Sequence, residues 1–151
     1  MLHGKSDALV INPINKKTIQ SDKFNFPGHT EYLTKIFGVD ESLMIMTCNN
    51  LHIGIMTNHL SLSQVPKVIT KELILRKLKV MNDSLKRDFG IRMPKIAVLA
   101  LNPHAGDRGL IGEEDDAIVA PAIQEAFNNG ILAFGPYPAD GFFGNGTMKD
   151  F

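Results

Sequence analysis

Three histidines of this chain share one kind of setting. His29 in Pro-Gly-His-Thr-Glu, His59 in Met-Thr-Asn-His-Leu and His104 in Leu-Asn-Pro-His-Ala-Gly each fall in a predicted loop at the end of an element. Neutral imidazole is the commonest side-chain ligand for zinc and related divalent metals, and loops at strand ends of α/β sheets bring distant side chains together around a ligand. Two imidazoles and a third ligand would leave open positions for a substrate hydroxyl oxygen. Polarising that oxygen eases loss of its proton, so that hydride can leave the adjacent carbon for a nicotinamide cofactor. A lone loop histidine is ordinarily solvated or bonded locally, and spacing alone leaves that reading open beside the metal one. His3, near the N-terminus, and His52, inside a predicted strand, lack the loop setting and receive no site role.

The elements that must position these residues follow from periodicity and punctuation. Ala8 to Ile11 is an apolar run ended by Asn12-Pro13 and predicts a buried strand, followed by a polar turn at Asn15-Lys16-Lys17. Tyr32, Leu33, Ile36 and Phe37 fall at helical spacing before Gly38, which predicts a short helix from Thr30. Ser42 to Cys48 and His52 to Thr57 flank Asn49-Asn50 and predict an antiparallel hairpin. Thr70 caps a long helix in which Ile74, Leu78, Met81, Leu85 and Phe89 recur every three or four residues before Gly90 and Pro94. Lys95 to Leu101, bounded by Pro94 and Asn102-Pro103, predicts a central strand. A helix from about Glu113 to Asn129-Gly130, with a kink or a late start at Pro121, leads to a last strand over Ile131 to Phe134 that ends at Gly135-Pro136. The alternation predicts an α/β fold, a layered mixed sheet with flanking helices, in a single domain over residues 1–151.

Composition narrows the partners. Lysine plus arginine and aspartate plus glutamate each total 16, so the formal charge is zero and nothing points to nucleic acid or an anionic membrane surface. No apolar run approaches the roughly 20 residues needed to span a bilayer. The single cysteine, Cys48, cannot form an internal disulfide, and the first residues lack the apolar stretch of a signal peptide, so the expected location is cytoplasmic.

Particular strings carry more than periodicity. Pro-Ile-Asn-Lys at 13 to 16, Gly-His-Thr-Glu at 28 to 31, Leu-Asn-Pro-His-Ala-Gly at 101 to 106 and Pro-Ala-Asp at 138 to 140 resemble, in order and spacing, the 4-hydroxythreonine-4-phosphate dehydrogenase family. The resemblance covers essentially the whole chain. It implies that His59 and His104 are two of three metal-binding histidines and that His29 and Thr30 contact substrate. It also implies a fold related to isocitrate and isopropylmalate dehydrogenases, a homodimer whose metal site is shared between subunits, a divalent metal such as zinc, magnesium or cobalt, and NAD or NADP as oxidant. The reaction implied is oxidation of 4-phosphooxy-L-threonine on the route to pyridoxal phosphate.

The chain departs from the family pattern in places. Ile11-Asn12 stands where members usually have Thr followed by Gly or Ala, and Leu110 where many carry a second histidine. Lys16 and Asp107 look like family positions, but a solvated lysine and a loop aspartate are the simpler readings. The early glycine-rich segment and the later His-Asp-Gln-Gly segment, which carries the third metal histidine, are absent. The resemblance therefore implies the central portion of a longer dehydrogenase, truncated at both ends, with weak metal affinity and little or no activity alone. Exposed sheet edge and apolar surface should then favour self-association. Two other readings share the motifs: a dehydrogenase of another phosphorylated hydroxy acid, of the phosphothreonate or phosphoerythronate type, and a non-catalytic metal-binding module.

Overall fold

A computed structural model describes residues 9–15, 17–22 and 24–151; Lys16, His3 and Ala8 lie outside the described residues. The first helix, α1, spans His29–Phe37 and stops where Gly38 turns left-handed (φ 62°) and returns its N–H to Lys35 and Thr34. The hairpin follows as β1 (Met44–Cys48) and β2 (Leu51–Ile55), paired antiparallel with Cys48 opposite Leu51, so that Asn49-Asn50 forms the predicted turn. Asn49 holds φ 52°, a conformation that asparagine tolerates better than most residues.

A short helical turn, α2 (Val65–Val68), leads into α3 (Lys71–Arg87). Thr70 caps α3 as expected, its hydroxyl accepting the Leu73 N–H at 3.2 Å. Ile74, Leu78, Met81 and Leu85 are buried along one face, as helical spacing requires. The predicted stripe ran one step too far. The helix ends at Arg87, and Phe89 stacks instead on the His52 ring, 4.3 Å between centroids.

Strand β3 (Lys95–Leu99) pairs in parallel with β4 (Leu132–Tyr137), and the crossover between them carries α4 (Ala120–Asn128). Val119, Ala122, Ile123 and Ala126 pack with the α3 stripe and with Ile96, Val98 and Ala133 as one core. Ala122 and Ala126 have no exposed surface; their small side chains let α4 lie close to its neighbours. Of the kink or late start expected at Pro121, the structure shows a π turn, Asp115–Val119, with the Ala120 N–H bonded to the Asp115 carbonyl, and α4 proper beginning only at Ala120. Proline has no N–H to donate back one turn, and widening the preceding turn removes that demand.

Three expectations are corrected. Leu9, Val10 and Ile11 form no strand and are exposed, because none of the described strands lies alongside to pair with them. β4 does not end at Gly135-Pro136, whose peptide bond is cis, but runs on to Tyr137. The register shift between Ala97 and Leu99 absorbs the extra residue, and Gly135 is required there because a Cβ would collide with the Val98 carbonyl oxygen. β3 is not central, since among the described residues it has β4 alone as partner. The α/β class with flanking helices is as expected, but its antiparallel and parallel ladders are two separate two-stranded sheets. A last helix, α5 (Ala139–Gly144), follows Pro138. No helix among the described residues is long and apolar enough to cross a membrane.

Candidate metal and substrate site

His29 is the first residue of α1 rather than a loop residue, with Thr30 and Glu31 after it in the opening turn. The Thr34 hydroxyl donates to the Thr30 carbonyl at 2.7 Å and lies 2.8 Å from the Ser42 hydroxyl, which ties this turn to the strand hairpin. His59 sits in the loop after β2, and its Nδ1 is 3.3 Å from Glu31 Oε1. The substrate pair and the first metal candidate are thus linked through one glutamate of the Gly-His-Thr-Glu string.

His104 lies in the loop after β3, and its Nδ1 is 3.3 Å from Asp140 Oδ2 at the start of α5. Both candidate metal histidines therefore turn Nδ1 toward a carboxylate. In metal-ligating histidines that is the usual arrangement: the carboxylate fixes the ring and its tautomer and raises the basicity of the opposite nitrogen, Nε2, which binds the metal. Neither acidic partner was singled out from sequence, although both stand inside strings quoted above.

The backbone at these positions is unusual as well. His59 (φ 52°) and His104 (φ 53°) are among six described non-glycine residues with positive φ. From His104 through Gly109 every residue is left-handed. Non-glycine residues in that region cost about 1–2 kcal/mol each, and such residues cluster at functional sites where the surroundings hold them.

The hold on the His104 loop comes from Asp115, at the start of the π turn. Its carboxylate is fully buried and accepts the Leu101 N–H at 2.7 Å, the Asn102 N–H at 2.9 Å and the Asn102 side-chain amide at 3.1 Å. The same amide reaches Glu114 Oε2 at 2.9 Å. Bonds from its own backbone N–H and from Asn102 hold the Glu114 carboxyl below its usual range. A signal existed in the sequence: a strand that breaks at Asn102-Pro103 leaves N–H groups needing an acceptor, and an acidic run follows a few residues later.

Donor chemistry suits a divalent transition metal, since imidazole nitrogens with carboxylates behind them are typical of such sites. Glu31 Oε2 and Asn58 Oδ1, the latter adjacent to His59 in sequence, are buried acceptors without a hydrogen-bond partner, which also suits a cation nearby. Yet among the described residues no group of three His, Cys, Asp or Glu side chains could hold a metal ion. His59 and His104 are bound to different carboxylates on different elements.

A cavity of about 520 Å³ touches none of the four candidate residues. It is lined by Leu78, Met81, Ile96, Val98, Phe142 and their neighbours, and it is the apolar space between the two ladders rather than a place for a phosphorylated substrate.

Parallel strands joined by a helical crossover, with histidines in the loops that leave the strands, define an α/β fold. The family model described as pyridoxal phosphate biosynthetic protein PdxA matches residues 1–151, and the chain belongs to that family. A 4-hydroxythreonine-4-phosphate dehydrogenase of Bacteroides thetaiotaomicron is 49% identical over 149 residues, covering 98% of this chain and 41% of the relative. A Bradyrhizobium diazoefficiens protein with the provisional name D-threonate 4-phosphate dehydrogenase is 41% identical over 140 residues, 93% of this chain and 40% of its own length. The crystal structure of 4-hydroxythreonine-4-phosphate dehydrogenase from Klebsiella pneumoniae matches with a TM-score of 0.78 and 34% identity over 87% of this chain and 40% of that one. The chain thus spans less than half the length of the relatives it matches.

Proposed function

We propose that this chain supplies part of the active site of a cytoplasmic, NAD(P)-dependent and divalent-metal-dependent dehydrogenase that oxidises 4-phosphooxy-L-threonine on the route to pyridoxal phosphate. The observation that carries this is the shared geometry of His59 and His104, each with Nδ1 against a carboxylate and each on a left-handed backbone. In this reading Glu31 and Asp140 orient the two rings, and Nε2 of each is a ligand atom. A divalent ion held there would supply Lewis acidity toward the substrate hydroxyl oxygen. His29 and Thr30 hold the substrate beside it, from the first turn of α1. A bound nicotinamide cofactor would take the hydride from the carbinol carbon while the hydroxyl proton passes to solvent, converting the alcohol to a ketone and NAD(P)+ to NAD(P)H. The remaining ligand comes from outside the described residues, in a homodimer whose metal site is shared between subunits. The metal is zinc, magnesium or cobalt.

A second reading, a phosphothreonate-type substrate, is favoured by the Bradyrhizobium relative's name. The reacting alcohol is the same in both, and the two substrates differ in an amino group against a hydroxyl.

A chimera tests both. These 151 residues would replace the matching segment of the Bacteroides protein, and NAD(P)H formation would be followed with each phosphorylated substrate. Activity on 4-phosphooxy-L-threonine that is lost in His29→Ala, His59→Ala and His104→Ala variants is the expected result. Activity on phosphothreonate alone selects the second reading, and a folded chimera without turnover on either contradicts the proposal.

A further inference from the structure

We propose that Asp115 is a positioning residue for His104, setting where the imidazole stands although it does not touch it; this rests on His104 being a metal ligand. Asp115 is completely buried, and an ionised carboxylate is removed from water only at a cost of several kcal/mol unless charge-assisted hydrogen bonds offset it. Both of its oxygens are so engaged. Oδ1 takes the Leu101 N–H, and Oδ2 takes the Asn102 N–H and side-chain amide. None of these bonds serves its own helix, for Asp115 sits inside the π turn that opens toward α4, and no side-chain cap is made there.

What the carboxylate fixes instead is the exit of β3. Leu101 and Asn102 stand immediately before Pro103 and His104, so two anchored N–H groups and the restricted φ of proline set the direction in which the chain leaves the sheet. The following segment, His104 to Gly109, is left-handed at every residue, and four of those residues are not glycine. Such a segment relaxes unless its surroundings determine it. The remaining constraints converge on the same clamp: the Asn102–Glu114 bond, the Ile111 N–H bonded to the Gly106 carbonyl at 3.0 Å, and the packing of Gly106 on Gly112. The loop thereby presents His104 toward Asp140.

Asp115→Asn is the matching perturbation, because the shape is kept while one oxygen becomes an NH2 group facing an N–H donor. The measurement is Co²⁺ binding by the 151-residue chain, as a double-mutant cycle with His104→Ala, together with amide hydrogen exchange without metal. Asp115→Asn should weaken Co²⁺ binding by about 10–100-fold when His104 is present and have no further effect when it is absent. Exchange at Leu101 and Asn102 should quicken at least about tenfold, with the α3 amides unchanged. An equal loss in both backgrounds would mean a general structural role and overturn the proposal. So would unchanged binding in Asp115→Asn when His104→Ala abolishes it. If the wild-type chain or the His104→Ala variant shows that His104 is no ligand, the proposed site fails, and unchanged exchange at Leu101 and Asn102 would overturn the clamp separately. Should Asp115→Asn not fold, Asn102→Ala removes the amide that bridges Asp115 and Glu114, and the same cycle applies with a smaller loss.

Discussion

The close packing of Gly106 on Gly112 gives a quantitative test of the His104 loop. Gly106→Ala places a methyl on a backbone with φ +79° and drives it into the Gly112 carbonyl oxygen. The left-handed conformation costs a non-glycine residue about 1–2 kcal/mol. The collision is with backbone rather than a flexible side chain, so relief requires the loop to move, at the roughly 1–3 kcal/mol typical of overpacking. The loss should therefore be about 2–5 kcal/mol. Gly130→Ala is the matched control, since Gly130 has φ +81° but nothing within 4 Å of an added Cβ, and it should lose only the conformational part, about 1–2 kcal/mol. Urea denaturation reads both: at a slope of about 1.5 kcal/mol/M, a 3 kcal/mol loss lowers the midpoint by about 2 M. Equal losses in the two variants would refute the reasoning, because the contact between the two loop halves would then be absent in solution.

Other consequences are more local. Burial alone would raise the Glu41 carboxyl, but hydrogen bonds from Lys77 and Arg76, and their charges, hold it below its ordinary value of 4.5. A lowered folded value means stability that is fully present above about pH 4.5 and lost as pH falls through the lowered value. Glu41→Gln should therefore flatten the acid limb of a stability–pH profile, and an unchanged limb would show that the pair with buried Lys77 contributes nothing. Asp140→Asn removes the carboxylate 3.3 Å from His104 Nδ1 and should weaken Co²⁺ binding by about 10–100-fold with little change in thermal midpoint. A midpoint drop with unaltered Co²⁺ binding would make Asp140 a structural residue only.

Much of the fold was legible because local rules and tertiary packing agree there. Thr70 and the Ile74 to Leu85 stripe identify α3, Asn49-Asn50 identifies the hairpin, and Pro94 and Asn102-Pro103 bracket β3. Sequence failed where the deciding partner is distant. Leu9 to Ile11 reads as a strand by composition but has no neighbouring edge to bond among the described residues, and β4 passes through Gly135-Pro136 because a bulge against Val98 accommodates it. Of the site, the histidines were legible as loop residues and by resemblance. Their carboxylate partners were not, since Glu31 reaches His59 across 28 positions and Asp140 reaches His104 only after the whole β3–α4–β4 crossover has folded. Asp115 was hidden for the opposite reason: an acid near a helix start already has an ordinary explanation.

The central claim is that the imidazoles of His59 and His104 bind the same divalent ion. NMR of the side-chain resonances during a Co²⁺ titration of the 151-residue chain tests it most directly, with His52, ring-stacked on Phe89, as internal control. Signals of both histidines should broaden along one saturation curve while His52 stays sharp, and His59→Ala should remove the response at His104. Two separate curves, or a His104 response indifferent to His59→Ala, would contradict it.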